Sequence, residues 1–236
     1  MKAIRINRRF AMFAVFVFGL ALSTTVFAQS RLEQGQAAYE RHDFRAAYAI
    51  LSVLAAEGNA EAQTLVGEMY ENGEGVGHDA AAAAAWYGKA AEQGHAEAQR
   101  SLGVLYENGE GVAQNYEEAA KWFLLAAQNG NLLAQYSIGL MYRQGRGVKA
   151  DDKQAAHWLS EVAEKGFAIA QVNLAFMHLA GEGVPADPAK AAELFRKAAD
   201  RGHPVAQNNL GLLYRDGIGV PSDAALAVKY FESAAM

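Results

Sequence analysis

The sequence predicts an all-α solenoid of antiparallel helix pairs, and three observations predict it. A block of 36 residues recurs five times without a gap, opening at Gly58, Gly94, Gly130, Gly166 and Gly202. Seventeen positions on, a second glycine column (Gly75, Gly111, Gly147, Gly183, Gly219) is followed by a valine column (Val76, Val112, Val148, Val184, Val220). Inside the blocks apolar and small residues keep a helical spacing, as at Ala98, Leu102, Leu105 and Tyr106. Self-similarity at a fixed period of this length marks units that bury their faces on their neighbours instead of in one globular core. The units are 58–93, 94–129, 130–165, 166–201 and 202–236.

The segment 1–28 stands apart. Lys2, Arg5, Arg8 and Arg9 precede an uncharged apolar run, Phe10–Leu22, and Val26-Phe27-Ala28 lead to a cleavage point at Ala28-Gln29. These are the three parts of a secretory signal peptide. A retained anchor is the alternative, but the run from Phe10 to Leu22 falls short of the ~20 residues that span a bilayer. A periplasmic or secreted location is therefore expected, with no stable membrane insertion after cleavage. The chain has no cysteine. It thus has no disulfide, thiol nucleophile, thiolate metal site or lipidated cysteine, although exported proteins commonly use disulfides. Removing the leader with its four basic residues leaves 17 of 21 basic side chains against 26 acidic ones, a net charge of −9. That balance disfavours nucleic acid and anionic lipid as partners.

Residues 29–57 read as a shorter capping unit, with Gly35, Ala38 and Tyr39 ahead of Asp43-Phe44-Arg45-Ala46-Ala47 and no Gly-x-Gly-Val loop. In the full units a first helix begins near Ala96 and runs to about Tyr106. It carries a small residue mid-helix (Gly67, Gly103, Gly139, Ala175, Gly211), which marks close approach of its partner helix, because a mid-helix glycine otherwise costs about 1 kcal/mol. Asn108-Gly109-Glu110-Gly111 ends that helix, with Gly109 suited to a left-handed cap and Val112 turned inward. Asp79, Asn115, Asp151, Asp187 and Asp223 fall where a second helix needs an N-cap, and Pro188 follows at its first position. The second helices carry Trp86-Tyr87, Trp122-Phe123, Trp158-Leu159, Leu194-Phe195 and Tyr230-Phe231.

The string from Ala96 to Tyr106, then Asn108-Gly-Glu-Gly-Val112, then Ala119-Ala-Lys-Trp-Phe123 resembles the Sel-one-like repeat, a 36-residue cousin of the tetratricopeptide repeat. The resemblance covers Gly58 to Met236, preceded by a looser tetratricopeptide-like unit. It implies a right-handed superhelix of helix pairs and a protein-binding adaptor or regulator, often exported in bacteria. It transfers a class and no named partner.

Catalytic signatures are sparse. No phosphate loop, H-E-x-x-H, G-x-S-x-G or S-x-x-K occurs. Gly73-Glu-Gly-Val-Gly77 follows a helix where a dinucleotide loop would follow a strand. His42, His78, His95, His157, His178 and His203 are scattered. His95 and His203 read as solvated loop residues, and His178 replaces the tyrosine of the column Tyr70, Tyr106, Tyr142, Tyr214. The glutamine column (Gln63, Gln99, Gln135, Gln171, Gln207) is expected to bond the next repeat's backbone. No catalytic residue, metal ligand or cofactor is assigned.

In tetratricopeptide-like stacks the first helices line the concave face. By that resemblance the free offsets are the third, sixth, tenth and thirteenth positions after each opening glycine. The first two units place Glu61, Thr64, Glu68, Glu71 and Glu97, Arg100, Val104, Glu107 there. The next three place Leu133, Tyr136, Leu140, Arg143; Ile169, Val172, Phe176, Leu179; and Val205, Asn208, Leu212, Arg215. The face thus turns from charged to apolar, and apolar patches commonly mark interaction sites. Leu133, Tyr136, Ile169, Val172 and Leu179 are expected to be exposed and to matter for binding more than for stability. Leu140, Phe176 and Leu212 divide evenly between exposure and packing. No polar helix follows Ala234-Ala235-Met236, so self-association through the open end is a second expected contact. The sequence reads as an exported, non-enzymatic adaptor that captures a protein or peptide; a cell-wall or beta-lactam-processing hydrolase on the same scaffold is the alternative. N-terminal sequencing of exported protein is expected to start at Gln29; a mature chain starting at Met1 contradicts export.

Overall fold

The computed structural model describes residues 29–235; the leader assigned to residues 1–28 lies outside them, as does Met236. Among the described residues there are twelve helices and no strand: α1 (29–40), α2 (Phe44–Ala56), α3 (Ala60–Asn72), α4 (Ala80–Glu92), α5 (Ala96–Asn108), α6 (Tyr116–Gln128), α7 (Leu132–Gln144), α8 (Asp152–Glu164), α9 (Ala168–Ala180), α10 (Pro188–Ala199), α11 (Pro204–Asp216) and α12 (Ala224–Ala234). None is long and apolar enough to cross a membrane. The chain divides into two compact units at Gln93/Gly94. In the first, α3 pairs with α4 and packs on α2. In the second, α5/α6, α7/α8, α9/α10 and α11/α12 form antiparallel pairs, and each later pair sits on the second helix of the one before it. This is the all-α solenoid of helix pairs that the 36-residue period predicts.

Helix ends follow from the capping columns. Asp43, Asp79, Asn115, Asp151, Asp187 and Asp223 each accept a hydrogen bond from a backbone N–H of the first turn of the second helix, satisfying donors that have no partner inside the helix. The first helices stop at Gly73, Gly109, Gly145, Gly181 and Gly217, all left-handed, with φ between 65° and 75°.

Within a pair the small column lets the partner helix approach. A Cβ added at Gly67 would lie 2.7 Å from the Tyr87 ring, at Gly103 2.9 Å from Phe123, and at Gly211 2.7 Å from Phe231. It is the second member of each aromatic pair that fills this space; Tyr87, Phe123, Leu159 and Phe195 are fully buried. The close approach expected of these glycines is therefore contact with a ring, which anchors the pair.

Between pairs, two further columns set the register. The second loop glycine lies against the first carbonyl of the preceding second helix. A Cβ at Gly75 would sit 2.5 Å from the Phe44 oxygen, and Cβ atoms at Gly147, Gly183 and Gly219 would overlap the carbonyls of Tyr116, Asp152 and Pro188. These glycines also have positive φ, 70° at Gly147, Gly183 and Gly219, so both space and conformation demand glycine. The following valines Val76, Val148, Val184 and Val220 turn inward and pack on the cores. At the other end of the same second helices the glutamine column donates: Gln63 Nε2 to Ala55 O at 3.0 Å, Gln135 to Ala127 O at 3.2 Å, Gln171 to Ala163 O at 3.1 Å and Gln207 to Ala199 O at 3.3 Å. The acceptors belong to the preceding repeat, not to the next one as the column suggests. These last-turn carbonyls already accept the backbone N–H of the opening glycine, Gly58 to Ala55 at 3.1 Å and Gly130 to Ala127 at 3.0 Å, so the glutamine takes up a second lone pair and ties the turn to the following repeat.

Two alanine variants separate these effects. Gly130 has φ +84° and nothing within 4 Å of an added Cβ, whereas Gly147 has φ +70° and a carbonyl in the way. G130A is expected to cost about 1–2 kcal/mol, the left-handed backbone penalty. G147A is expected to lose a further ~1–3 kcal/mol from overpacking, read as a larger drop in urea midpoint at unchanged slope. Equal losses contradict the close-contact account.

Candidate protein-interaction surface

The expected binding columns separate once side chains are in place. Three successive first helices carry an exposed aliphatic residue at their second position: Leu133 on α7 (51% exposed), Ile169 on α9 (46%) and Val205 on α11 (46%). The residues bear the same offset, so the period stacks them into a row. At the equivalent offset Glu61 accepts from Gln36 at 2.5 Å, and Glu97 binds Arg100 at 2.5 Å and accepts from Asn131 Nδ2 at 2.8 Å. The position therefore holds solvated, engaged carboxylates in two repeats and exposed hydrocarbon in the next three.

The sixth-position column behaves differently. Val172 is 6% exposed and belongs to the core cluster with Leu174, Leu194 and Leu210, contrary to its expected exposure. Thr64, at the same offset, is also buried, its hydroxyl donating to Ala60 O. Arg100 at this offset is half-buried and its guanidinium pairs with Glu97, which a long amphipathic side chain allows. Charge at one member of a column is thus no guide to burial at another. Tyr136 and Leu179, also expected to be exposed, are half-buried and pack against the same core, as do Leu140 and Phe176. The Phe176 ring sits edge-on to Phe195 at 5.2 Å between centroids. Leu212 is half-buried, while Asn208 and Arg215 are exposed and Arg215 pairs with Asp216 at 2.7 Å.

A polar network flanks the row. Arg143 donates to Asn173 Oδ1 at 3.4 Å and to Glu182 Oε2 at 3.0 Å, and Asn173 Nδ2 donates to the Tyr136 hydroxyl at 3.3 Å. Burial pushes the Tyr136 hydroxyl above the ordinary tyrosine range, partly offset by the bond from Asn173. Arg143 and Tyr136 therefore tie α7 to the next repeat before they are available to a partner. Asn173 and Glu182 lie outside the columns that the sequence marks. The signal that could reveal Glu182 is a pairing across 39 residues: Glu107 with Arg146, then Arg143 with Glu182 with the signs exchanged. At the next rung the same positions are Leu179 and Ile218, and Ile218 is 43% exposed.

The histidines are dispersed over the repeats. His95 and His203 occupy first-helix N-cap positions and are half-buried, not the solvated loop residues expected. His178 is half-buried in the tyrosine column. Among the described residues no group of three His, Asp or Glu side chains is placed to hold a metal ion.

I169E is expected to leave the melting temperature within the small shift of a surface change. V172E, which buries a carboxylate without a partner, is expected to cost more than about 3 kcal/mol. Thermal melts of the two variants check this; similar behaviour contradicts the division of the columns.

Five Sel1 repeats match the chain, at residues 60–95, 96–131, 132–167, 168–203 and 204–236. Each begins at the first residue of a first helix, two positions after the opening glycine. The crystal structure of a protective antigen present in uropathogenic Escherichia coli strains, which displays an SLR fold, is similar with a TM-score of 0.83 and 37% identity, over 88% of this chain and 45% of that one. This chain therefore spans less than half the length of that relative. A Sel1 repeat protein from Oxalobacter formigenes is similar with a TM-score of 0.83 and 34% identity, over 86% of this chain and 84% of that one. No curated protein matches. With five consecutive repeats matched in sequence, and the same fold in relatives at 37% and 34% identity, the chain belongs to the Sel1 repeat family.

Proposed function

We propose that this protein is an exported, non-enzymatic adaptor that captures a protein or peptide partner on the first-helix row Leu133, Ile169 and Val205. Sel1 repeat proteins are generally protein-interaction scaffolds, which supports the class. The observation that carries the site is the row itself. Single exposed aliphatic residues are ordinary, but three at one offset in consecutive repeats form an aligned strip. The helices that bear it are fixed by caps, buried rings and loop contacts, so little ordering is required on binding. Export rests on the three-part leader, and the periplasm is the compartment proposed with it.

The test is capture from cell-envelope extract by the wild-type protein and by L133E/I169E. A charge desolvated in the interface is expected to weaken capture at least tenfold at unchanged melting temperature. A control, E161Q on the second-helix side, is expected to capture as well as wild type. Undiminished capture by L133E/I169E contradicts the proposed face.

A further inference from the structure

The second-helix side of the repeats carries a different feature, independent of the aliphatic row. A groove of about 630 Å³ lies between α6 and α8, lined by Leu124, Tyr142, Gln154 and Trp158, with Lys149 and Asp151 giving one charge of each sign. The solenoid repeats three of these wall positions two units later, where Leu124, Tyr142 and Trp158 become Arg196, Tyr214 and Tyr230.

At that later rung an arginine of the protein itself lies against the aromatic side chains. Arg196 Nη2 donates to the Tyr214 hydroxyl at 2.8 Å. Its guanidinium carbon lies 6.0 Å from the Tyr214 ring centroid, and the Tyr214 and Tyr230 rings stack at 5.8 Å with 6° between planes. The guanidinium thus lies at the hydroxyl edge of the rings, hydrogen-bonded to the tyrosine side chains, with Tyr214 and Tyr230 both bonded to it. At the earlier rung Tyr142 keeps the first hydroxyl, Trp158 replaces the second tyrosine, and Leu124 replaces the arginine. The rung between them has Ser160, His178 and Leu194. It lacks the second aromatic wall, and Ser160 turns its hydroxyl to His157 O at 2.7 Å.

We propose that the α6–α8 groove takes an arginine side chain from a protein partner, in the place that Arg196 occupies at the α10–α12 rung. The occupant is identified by the arginine that the molecule itself sets against the equivalent tyrosine two units later. Gln128 and Gln154 also line the groove and carry amide carbonyls able to accept from the remaining guanidinium donors. The excess of acidic over basic side chains beyond residue 28 favours approach of a cation. Citrulline, which keeps the shape and loses the charge, is the discriminating analogue.

The experiment uses the full mature chain and two capped tripeptides, Gly-Arg-Gly and Gly-citrulline-Gly, followed by the indole N–H signal of Trp158 in NMR titration. The arginine peptide is expected to shift that signal saturably, with the citrulline peptide at least tenfold weaker. Y142F is expected to reduce arginine affinity about tenfold, the loss of one charge-assisted hydrogen bond. L124R is expected to fill the groove from within, retaining or raising the melting temperature and abolishing the arginine-peptide shift. Four results each overturn the proposal: equal response to both peptides, no saturable response from wild-type protein, undiminished affinity in Y142F, or an L124R variant that unfolds or still binds.

Discussion

Everything in the stack depends on the backbone contact between a loop glycine and the helix before it. Gly147 lies so close to the Tyr116 carbonyl, and Gly183 and Gly219 to those of Asp152 and Pro188, that no side chain fits. This contact holds one end of the preceding second helix, while the glutamine column holds the last-turn carbonyl at its other end. A helix pinned at both termini by the following repeat has little freedom to tilt. Within each unit the register of successive repeats is thereby fixed by groups that recur with the period, and the side chains between them are free to vary. That is the division of labour a repeat protein needs: constant columns build the stack and variable columns carry what distinguishes one unit from another.

The variable columns show what that freedom is used for. The third-position column accepts Glu61 and Glu97 in contacts with Gln36, Arg100 and Asn131, and then Leu133, Ile169 and Val205 standing half in solvent. Neither choice is dictated by packing. The cross-repeat rungs likewise pass from Glu107–Arg146 through Arg143–Glu182 to Leu179 and Ile218, so polar ties give way to hydrocarbon toward α11. On the second-helix side, Leu124 and Arg196 occupy equivalent places, the one lining an open groove and the other bonded to the Tyr214 hydroxyl. Surface and groove are both departures from the repeat average.

The legibility of these features follows from what a column can say. A residue that recurs at every period announces a shared structural task, so the left-handed caps, the N-cap aspartates and the mid-helix glycines are readable before any coordinates. Direction is not readable. A recurring glutamine points equally well to the repeat ahead or behind, and only the position of Ala55, Ala127 and Ala163 at helix ends shows that it points back. Burial is readable only where the column is uniform. Arg100 at the offset of Val172 suggests a wet position, yet Arg100 is itself half-buried and paired with Glu97, so its charge does not report the burial of Val172. Asn173 and Glu182 escape notice because their contacts join different offsets in adjacent repeats, which a column-by-column comparison never sets side by side.

If a partner is held on the exposed aliphatic strip of otherwise rigid first helices, its footprint must fall there. Hydroxyl-radical footprinting of the captured complex against the free protein tests this most directly, because aliphatic side chains report their own solvent access. Protection is predicted to concentrate at Leu133, Ile169 and Val205, with Val172 unreactive in both states. Protection confined to second-helix residues such as Val228, with the three row positions labelled equally in free and bound protein, would contradict it.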